Sequence, residues 1–461
     1  MRAHEAGALH ADIGYRGPAW LHVPEDVNAL MPQLWPRTVR RAGTGALTVG
    51  GVDVQELAEE YGTPAYVLDE ADFRARCREF AAAFADCDVY YAGKSFLCRA
   101  VVRIVAEEGL FLDVCSGGEL AVALAAGMPP ERLGFHGNNK SVAELTRAVE
   151  AGVGRIIVDS FHEIDRLSAI ARERGVRPSV LIRVTVGVEA HTHEYIATAH
   201  EDQKFGFSLA GGAALAAALK IIDEDVLELR GLHSHIGSQI FDTGGFEVSA
   251  RRVLGLHAQI RDARGVELPE LDLGGGFGIA YTSQDDPSEP GELAKRLVKI
   301  VEDECELATL AVPRLSIEPG RAIVGPAMFT LYEVGTVKDV DGIRSYVSVD
   351  GGMSDNIRTA LYDASYSATV ASRTSTAPPM LARVVGKHCE AGDIVVKDEF
   401  LPADVRPGDL LAVPGTGAYC RSMASNYNHV PRPPVVAVAD GAARVVVRRE
   451  TEDDLLALDM G

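Results

Sequence analysis

The chain has 461 residues, more than one hydrophobic core usually supports, so two domains are expected. It carries 66 acidic against 45 basic residues, a formal net charge of −21. This balance argues against nucleic acid or an anionic membrane as the main ligand, because both require clustered Lys and Arg. It leaves open an anionic small molecule, which a few local cations can bind.

The cysteines and the N-terminal region indicate the compartment. The seven cysteines are odd in number and none forms a Cys-x-x-Cys pair, which excludes a disulfide framework and a zinc ribbon. The first residues lack the apolar core of a signal peptide, and no apolar stretch is long enough to cross a bilayer. We therefore expect a soluble cytoplasmic protein.

From about Tyr66 to Gly320, short apolar or β-branched runs alternate with stretches of helical periodicity. The predicted strands are Asp88–Ala92, Phe111–Cys115, Leu133–His136, Arg155–Asp159, Val180–Val186, Leu232–Ile236, Leu271–Leu273 and Leu315–Glu318. Helical patterns between them include Gly118–Ala126, Ser141–Ala151, Ile164–Arg174 and Glu247–Ala263. Eight strands separated by helices predict an α/β fold with a (β/α)8 barrel of the TIM type. An open, doubly wound sheet is the alternative, because periodicity cannot show that a sheet closes.

After Gly320 the helical periodicity fades and turns rich in Gly and Pro separate short apolar runs, which is typical of antiparallel β structure. These runs are Phe329–Val337, Arg344–Val349, Asp393–Val396, Leu410–Val413 and Ala443–Arg448. Before the barrel, a turn at Val49–Val52 and a helical pattern at Val54–Tyr61 suggest a further contribution to this domain. The expected organisation is a barrel over residues 66–320 and a mainly antiparallel β domain formed by 28–65 and 321–461.

In a barrel the active site forms at the carboxyl ends of the strands, and four of the predicted strand ends carry unusual residues. Lys94 follows the first strand, His235 ends the sixth, the cluster Gly274–Gly278 follows the seventh, and Glu318-Pro-Gly-Arg321 ends the eighth. A lysine in an apolar setting has a lowered pKa, which suits a Schiff-base nucleophile. The alternative interpretation of Lys94 is an ordinary lysine at the solvated surface.

The other strand ends also allow two interpretations. Glycines after strands seven and eight could form a phosphate-binding loop or only a tight turn. Glu318 and Arg321 could form a structural ion pair, or Arg321 could bind a phosphate or carboxylate. His233 and His235 share one strand face and could bind zinc. Because no further ligands fall clearly at the other strand ends, we expect no metal.

Taken together and in this order, these stretches resemble the fold-III decarboxylases that depend on pyridoxal phosphate. The markers are Tyr91-Ala-Gly-Lys94, Asp113-Val-Cys-Ser-Gly-Gly-Glu119, His235-Ile-Gly-Ser-Gln239, Gly274–Gly278 and Glu318-Pro-Gly-Arg321. The resemblance runs from about Gly62 to Pro434. It implies a barrel that carries the cofactor, pyridoxal 5′-phosphate, and a C-terminal β domain that completes the active site.

Within this family, the later segments resemble the diaminopimelate decarboxylases rather than the ornithine or arginine enzymes. They are Val349–Asn356, Arg358 with Tyr362, Gly386–Glu390, Gly415–Met423 and the loop His191–Phe207. The resemblance implies decarboxylation of meso-2,6-diaminopimelate to L-lysine and carbon dioxide by a homodimer. Four alternatives remain open: another fold-III decarboxylase, a racemase of the alanine type, a metal-dependent barrel hydrolase, and a catalytically idle relative that only binds the cofactor or a partner.

The resemblance also implies a role for each site residue. Lys94 holds the cofactor as a Schiff base, His235 stacks on its ring, and Glu318 pairs with the ring nitrogen. The cofactor is further contacted by Ser238, Gly275, Gly276, Pro319, Gly320, Arg321 and Tyr419. The substrate is bound by Arg321, Arg358, Tyr362, Glu390 and Tyr419.

Cys389 is implied as the proton donor, and it reaches the active site together with Glu390 from the neighbouring subunit. The sequence departs from the family at Ala391, where serine is usual, and at Arg421, where an aromatic residue is common. Neither change removes a catalytic group.

Overall fold

The computed structural model describes residues 17–187, 203–340 and 344–461. Most of the predicted loop His191–Phe207 lies outside the described residues. The chain forms two compact units. One consists of Arg74–Gly278 and Pro287–Ile323, and the other of the residues up to Phe73, Ile279–Asp286 and Val324–Gly461.

The first unit is a closed barrel of eight parallel strands within the described residues. The strands are Asp88–Ala92, Phe111–Val114, Leu133–Phe135, Arg155–Val158, Ser179–Thr185, Glu228–His233, Glu270–Asp272 and Arg314–Ile317. Closure occurs where the first strand pairs in parallel with the last, with Ser316 opposite Asp88. The predicted barrel is confirmed, and the open-sheet alternative is excluded. A short strand, Phe207–Ser208, pairs with Ser179–Thr185 at the rim.

Helices follow the barrel strands and are delimited by local signals in the sequence. They are Glu70–Ala83, Arg99–Glu107, Gly117–Ala126, Val142–Ala151, Phe161–Arg174, Ala213–Glu224, Gly244–Arg264, Pro290–Ala308 and Arg321–Val324, with 3-10 turns at Gly93–Ser95 and Pro130–Arg132. Val142–Ala151 begins at a capping box between Ser141 and Glu144 and ends at Gly152, whose φ of 76° suits glycine. Such caps satisfy the terminal N–H groups and carbonyls, which fixes where each helix ends.

Several barrel strands end one to three residues earlier than predicted. Cys115, His136, Asp159, His235 and Glu318 therefore lie in the loops just past the strands rather than within them. These residues are buried or half-buried like the strands that they follow, so burial does not mark where each strand ends. The consequence is functional, since side chains beyond the strand ends can converge on the carboxyl face of the barrel.

The second unit is built on a mixed, mainly antiparallel sheet. Its strands are Ala65–Asp69, Met328–Val340, Arg344–Val349, Thr369–Val370, Pro379–Val385, Ile394–Pro402, Leu410–Pro414, Val435–Ala439 and Ala442–Val447. Two pairings are parallel, Arg344–Val349 with Pro379–Val385 and Ala65–Asp69 with Val435–Ala439; the rest are antiparallel. The unit also contains the helices Val54–Tyr61, Arg358–Tyr362 and Glu452–Leu456, and 3-10 turns at Arg421–Met423 and Tyr427–His429.

The region before the barrel contributes to this unit in two ways. Arg40–Arg41, Leu47–Val49 and Val52–Asp53 form a small antiparallel sheet of their own. Its buried residues join one apolar cluster with Phe329 and Val436 of the large sheet. Ala65–Asp69 pairs with Met328–Val340, which explains why the barrel unit begins at Arg74 rather than near residue 66.

No helix within the described ranges is both long and apolar enough to cross a membrane. All seven cysteines lie at described positions, and none forms a disulfide.

Candidate active site

A cavity of about 290 Å³ opens at the carboxyl ends of the barrel strands. Its lining brings together residues from six strand ends of the barrel unit and the loops that follow them. These residues are Ala92, Lys94, Asp113, Cys115, His136, Gly137, Asn138, Arg183, Phe205, His235 and Glu318. Three residues singled out from the sequence, Lys94, His235 and Glu318, therefore face the same cavity.

Lys94 lies in the 3-10 turn Gly93–Ser95, directly after the strand Asp88–Ala92. The turn is held by Ser95, whose hydroxyl donates to the carbonyl of Ala92 at 2.7 Å. Gly93 is required there, because a Cβ would lie 2.6 Å from the carbonyl oxygen of Asp113. The close packing of this turn against the neighbouring strand fixes the backbone from which Lys94 extends to the cavity.

Glu318 is buried at the end of the last strand and contacts two imidazole rings. Its Oε1 lies 2.9 Å from Nε2 of His233 and 3.4 Å from Nε2 of His136. Burial alone would raise the pKa of Glu318, but the rings of His136 and His233 outweigh burial and hold that pKa well below its ordinary range. Glu318 is therefore an ionised carboxylate at neutral pH.

Two further buried carboxyl groups of the barrel behave in the opposite way. Burial and the negative charge of Glu318 raise the pKa of both Asp113 and Asp272 well above the ordinary value. Asp113 Oδ1 lies 3.1 Å from His136 Nε2, and Asp272 Oδ1 accepts the N–H of Gly274 at 2.7 Å. The ionised form is thus favoured in Glu318, whereas the neutral form is favoured in the two aspartates.

His235 is held as a neutral ring. The backbone N–H of Gly275 donates to Nδ1 of His235 at 3.3 Å, which leaves the ring proton on Nε2. Burial and the positive charge of Lys94 lower the pKa of His235 well below its usual value. A flat, neutral imidazole on the wall of the cavity suits stacking on an aromatic ring.

The glycine cluster after the seventh strand is built for close approach of the backbone. A Cβ on Gly275 would lie 2.1 Å from the carbonyl oxygen of Glu318, and one on Gly276, at φ +109°, would lie 2.3 Å from that of Gly237. Nearby, Arg321 Nη2 donates to the hydroxyl of Ser238 at 2.9 Å. Pro319 and Gly320 are buried between Glu318 and Arg321. Together with the turn that carries Lys94, the predicted cofactor residues of the barrel therefore lie in four adjoining loops, which follow the first, sixth, seventh and eighth strands.

These groups fit pyridoxal phosphate in their chemistry. Lys94 supplies an amine, Glu318 an ionised carboxylate, His235 a flat neutral ring, and the glycine loop a backbone that a phosphate can approach closely. The ionised state of Glu318 carries most weight, because it is the state that a protonated ring nitrogen requires.

No sequence motif marks His136 or Arg183, and the structure gives His233 a role different from the one that the sequence suggests. The sequence allows His233 as a zinc ligand together with His235, but its Nε2 contacts Glu318 instead. His136, His233 and Glu318 do offer three ligand atoms within 4.8 Å of one another, although each atom already takes part in a contact among them. The only sequence signal for His136 is that it is the last residue of a predicted strand.

Arg183 lies in the fifth barrel strand, and its guanidinium stacks over the ring of Phe205 at 4.3 Å. The side chain is buried and lines the cavity. Burial lowers the pKa of Arg183, with the charge of Asp159 opposing this. Arg183 interrupts the apolar run Val180–Val184, and a single arginine in such a run is a sequence signal for a functional residue.

The remaining predicted site residues lie in the second unit. Arg358 is buried at the start of the short helix Arg358–Tyr362, at whose end Tyr362 is half-buried. Cys389 and Glu390 are exposed in one turn, where Asn428 accepts the backbone N–H of Cys389 at 3.0 Å. Tyr419 has a φ of 66°, which is uncommon for a residue other than glycine and is typical of functional positions.

Comparison with known families defines the class of protein. The family model of the pyridoxal-binding domain of pyridoxal-dependent decarboxylases matches residues 70–325. The chain therefore belongs to the pyridoxal-dependent decarboxylases and is an enzyme with pyridoxal phosphate as its cofactor.

More similar relatives define the branch of this family. Diaminopimelate decarboxylase of Mycobacterium tuberculosis is 60% identical over 94% of this chain and 98% of its own length. The diaminopimelate decarboxylase of Bacillus subtilis is 48% identical over 92% of this chain and 97% of its own length. A solved diaminopimelate decarboxylase from M. jannaschii in complex with L-lysine has a TM-score of 0.87 at 31% identity and covers 93% of this chain and 99% of its own. The chain is a member of the diaminopimelate decarboxylase family, which confirms the predicted resemblance.

Proposed function

We propose that this protein decarboxylates meso-2,6-diaminopimelate to L-lysine and carbon dioxide, the last step of lysine biosynthesis. The observation that carries the proposal is the cavity that Lys94 shares with the ionised carboxylate of Glu318. Two relatives compared above bear the name of this activity over nearly their whole length. The same comparison favours this substrate over ornithine or arginine.

When bound, pyridoxal phosphate supplies an electron sink for the electron pair that the departing carbon dioxide leaves behind. In the proposed mechanism Lys94 would hold the cofactor through its amine. Glu318 would keep the ring nitrogen protonated, because a buried carboxylate of low pKa stabilises a neighbouring positive charge. His235 would stack on the ring, and Ser238, Gly275, Gly276, Pro319, Gly320, Arg321 and Tyr419 would hold the remainder of the cofactor.

The substrate is an amino acid at both ends, so one end must react while the other is recognised. We assign the carboxylate of the distal end to Arg358, Arg321, Tyr362 and Tyr419, and its ammonium group to Glu390. Arginine suits this task because its planar guanidinium binds a carboxylate through two parallel hydrogen bonds. Ornithine lacks the distal carboxylate and would leave a buried guanidinium unmatched, which is how polar sites discriminate strongly.

Cys389, which is exposed, is proposed as the acid that protonates the reacting carbon. We propose that Cys389 and Glu390 act in the active site of the neighbouring subunit, so that the protein works as a homodimer. Mixing Lys94→Ala and Cys389→Ala protomers should then restore up to about a quarter of the native activity, because each heterodimer has one intact site. No recovery despite subunit exchange would contradict a shared site.

The proposed function is tested by incubating the purified protein with pyridoxal phosphate and meso-diaminopimelate and measuring lysine and carbon dioxide. Ornithine, arginine and alanine serve as parallel substrates. Turnover of ornithine or arginine in preference to diaminopimelate would overturn the assignment. Cofactor absorbance without carbon dioxide release would indicate an idle relative. We propose that the reaction takes place in the cytoplasm, in keeping with the reduced cysteines.

A further inference from the structure

Arg358 lies in an environment that is unusual for a buried arginine. Its side chain is 6% exposed, yet no carboxylate of the described residues forms an ion pair with it. A buried cation is normally paired, because desolvation of an unpaired charge is costly. Arg358 is therefore held by other groups, and these groups decide what it can bind.

Two tyrosines enclose the guanidinium. The Cζ atom of Arg358 lies 4.9 Å from the ring centroid of Tyr281 and 5.7 Å from that of Tyr366. The two rings lie 5.1 Å apart at an angle of 75°, edge to face. Both rings can offer a π surface to the cation, which partly replaces the water lost on burial.

A closed set of hydrogen bonds fixes the same side chain. Arg358 Nη1 donates to the hydroxyl of Tyr366. That hydroxyl lies 3.6 Å from the sulfur of Cys420, whose thiol contacts Oδ1 of Asn356 at 3.5 Å. The same amide oxygen accepts the backbone N–H of Arg358 at 3.3 Å. The chain of contacts thus begins and ends on Arg358, which restrains both its backbone and the end of its side chain.

The contacts leave one edge of the guanidinium unused. Nη1 is engaged by Tyr366, whereas buried Nε has no hydrogen-bond partner among the described residues. Nε–H and one N–H of Nη2 point to the same side of the guanidinium plane and match the two oxygens of a carboxylate. The free edge is the one suited to side-on, bidentate binding.

We propose that Tyr366 and Tyr281 are positioning residues, which hold Arg358 so that its Nε–Nη2 edge is reserved for a planar carboxylate at the distal end of the substrate. This inference rests on the proposed function of Arg358 and adds the residues that make it selective. Because the tyrosines are neutral, they fix the guanidinium without neutralising it, as a carboxylate partner would. The positive charge is left for the ligand.

The test compares two ligands that differ only in this carboxylate. L-Lysine carries it and cadaverine lacks it, and the binding of each to the holoenzyme is followed by the absorbance of the bound cofactor. Tyr366→Phe keeps the ring and removes the hydroxyl. We expect it to weaken L-lysine binding about 10-fold, as for loss of a hydrogen bond that orients a charged group, and to change cadaverine binding less than about twofold.

A matched control and a double-mutant cycle separate positioning from general structural damage. Tyr61→Phe also removes a partly buried hydroxyl, one that donates to the carbonyl of Ala443 at 3.3 Å, and should leave both affinities unchanged. In an Arg358→Lys background, which has no planar edge to orient, Tyr366→Phe should have no further effect on L-lysine binding. If Tyr366→Phe does not fold, Tyr281→Leu removes a π surface from Arg358 and should produce the same selective loss.

Equal weakening of both ligands, or no weakening of L-lysine by Tyr366→Phe, would overturn the inference. Additive effects of Tyr366→Phe and Arg358→Lys would also overturn it, because they would show that Tyr366 does not act through Arg358. Decarboxylation of meso-diaminopimelate by the unaltered enzyme is measured first. Failure there removes the proposed function as well, whereas an active enzyme with an unselective Tyr366→Phe variant removes only this inference.

Discussion

Replacing Glu318 by glutamine changes the charge of the active site with little change in its shape. The amide retains a carbonyl oxygen that can accept a hydrogen bond from His233, whose Nε2 lies 2.9 Å from Oε1 of Glu318. The variant should therefore fold. The loss of the negative charge removes the group proposed to keep the ring nitrogen of the cofactor protonated.

The magnitude follows from the burial of this carboxylate. Glu318 is 6% exposed, so solvent cannot replace the charge once it is removed. Removal of one preorganised electrostatic group from an active site lowers kcat by about 10²–10³-fold. We expect a loss of this size in kcat/KM for meso-diaminopimelate. The cofactor should remain bound, since Lys94 is unchanged.

The control is Glu163→Gln, a second buried glutamate of the same barrel. Glu163 Oε1 lies 2.6 Å from Nζ of Lys140, and neither side chain is among the residues that line the cavity. Breaking this buried ion pair should cost about 3 kcal/mol of unfolding free energy while activity per folded molecule is retained. Decarboxylation assays and urea denaturation of both holoenzyme variants separate the two effects. Activity of Glu318→Gln within tenfold of the native enzyme would refute the reasoning.

Three further predictions concern stability, the glycine loop and metal. Burial raises the pKa of Glu399 to about 7, so the folded state binds this proton more tightly than the unfolded state does. The free energy of unfolding should therefore fall by up to about 3 kcal/mol between pH 4.5 and 7, and Glu399→Gln should flatten this dependence in urea titrations. Gly276→Ala should weaken cofactor binding at least about 10-fold in an absorbance titration, because the added Cβ would lie 2.3 Å from the carbonyl oxygen of Gly237. The control is Gly255→Ala, whose added Cβ would meet open space and should leave cofactor binding unchanged. Dialysis against a chelator should leave decarboxylation unchanged, since Nε2 of His233 is engaged by Glu318; loss of activity, restored by a metal, would contradict this.

The barrel could be predicted from the sequence because its parallel strands are buried on both faces and read as apolar runs. The exact strand ends could not, since the first loop residues, such as His136 and Glu318, are as buried as the strands that they follow. Ala65–Asp69 shows a related limit. All five of its residues are buried, as in a barrel strand. Its partners, however, are Met328–Val340 and Val435–Ala439, and all three strands belong to the second unit. Pairing between strands so far apart in the sequence produces no pattern in the local sequence from which it could be predicted.

Site residues could be predicted from the sequence where the residue type or its position is unusual in itself. They could not be predicted where the role of a residue depends on neighbours that are distant in the sequence. Lys94 and the glycine cluster stand out by position and composition, whatever surrounds them. The role of Arg358 follows from the resemblance, but nothing in the sequence indicates that Tyr281 and Tyr366 enclose its guanidinium. Tyr281 lies 77 positions before Arg358 in the sequence. Only folding of the second unit brings the rings of Tyr281 and Tyr366 to the guanidinium of Arg358.

The two histidines next to Glu318 show why protonation states also required the structure. Three carboxyl groups, Asp113, Asp272 and Glu318, are buried in one barrel, and burial together with repulsion from Glu318 raises the pKa of both aspartates. The rings of His136 and His233 both contact Oε1 of Glu318, and they select it as the group that keeps the charge. Exchanging His233 for a residue that cannot donate should therefore raise the pKa of Glu318 and move the acidic limb of the pH–rate profile upward. The catalytic carboxylate is defined by its donors as much as by its own position.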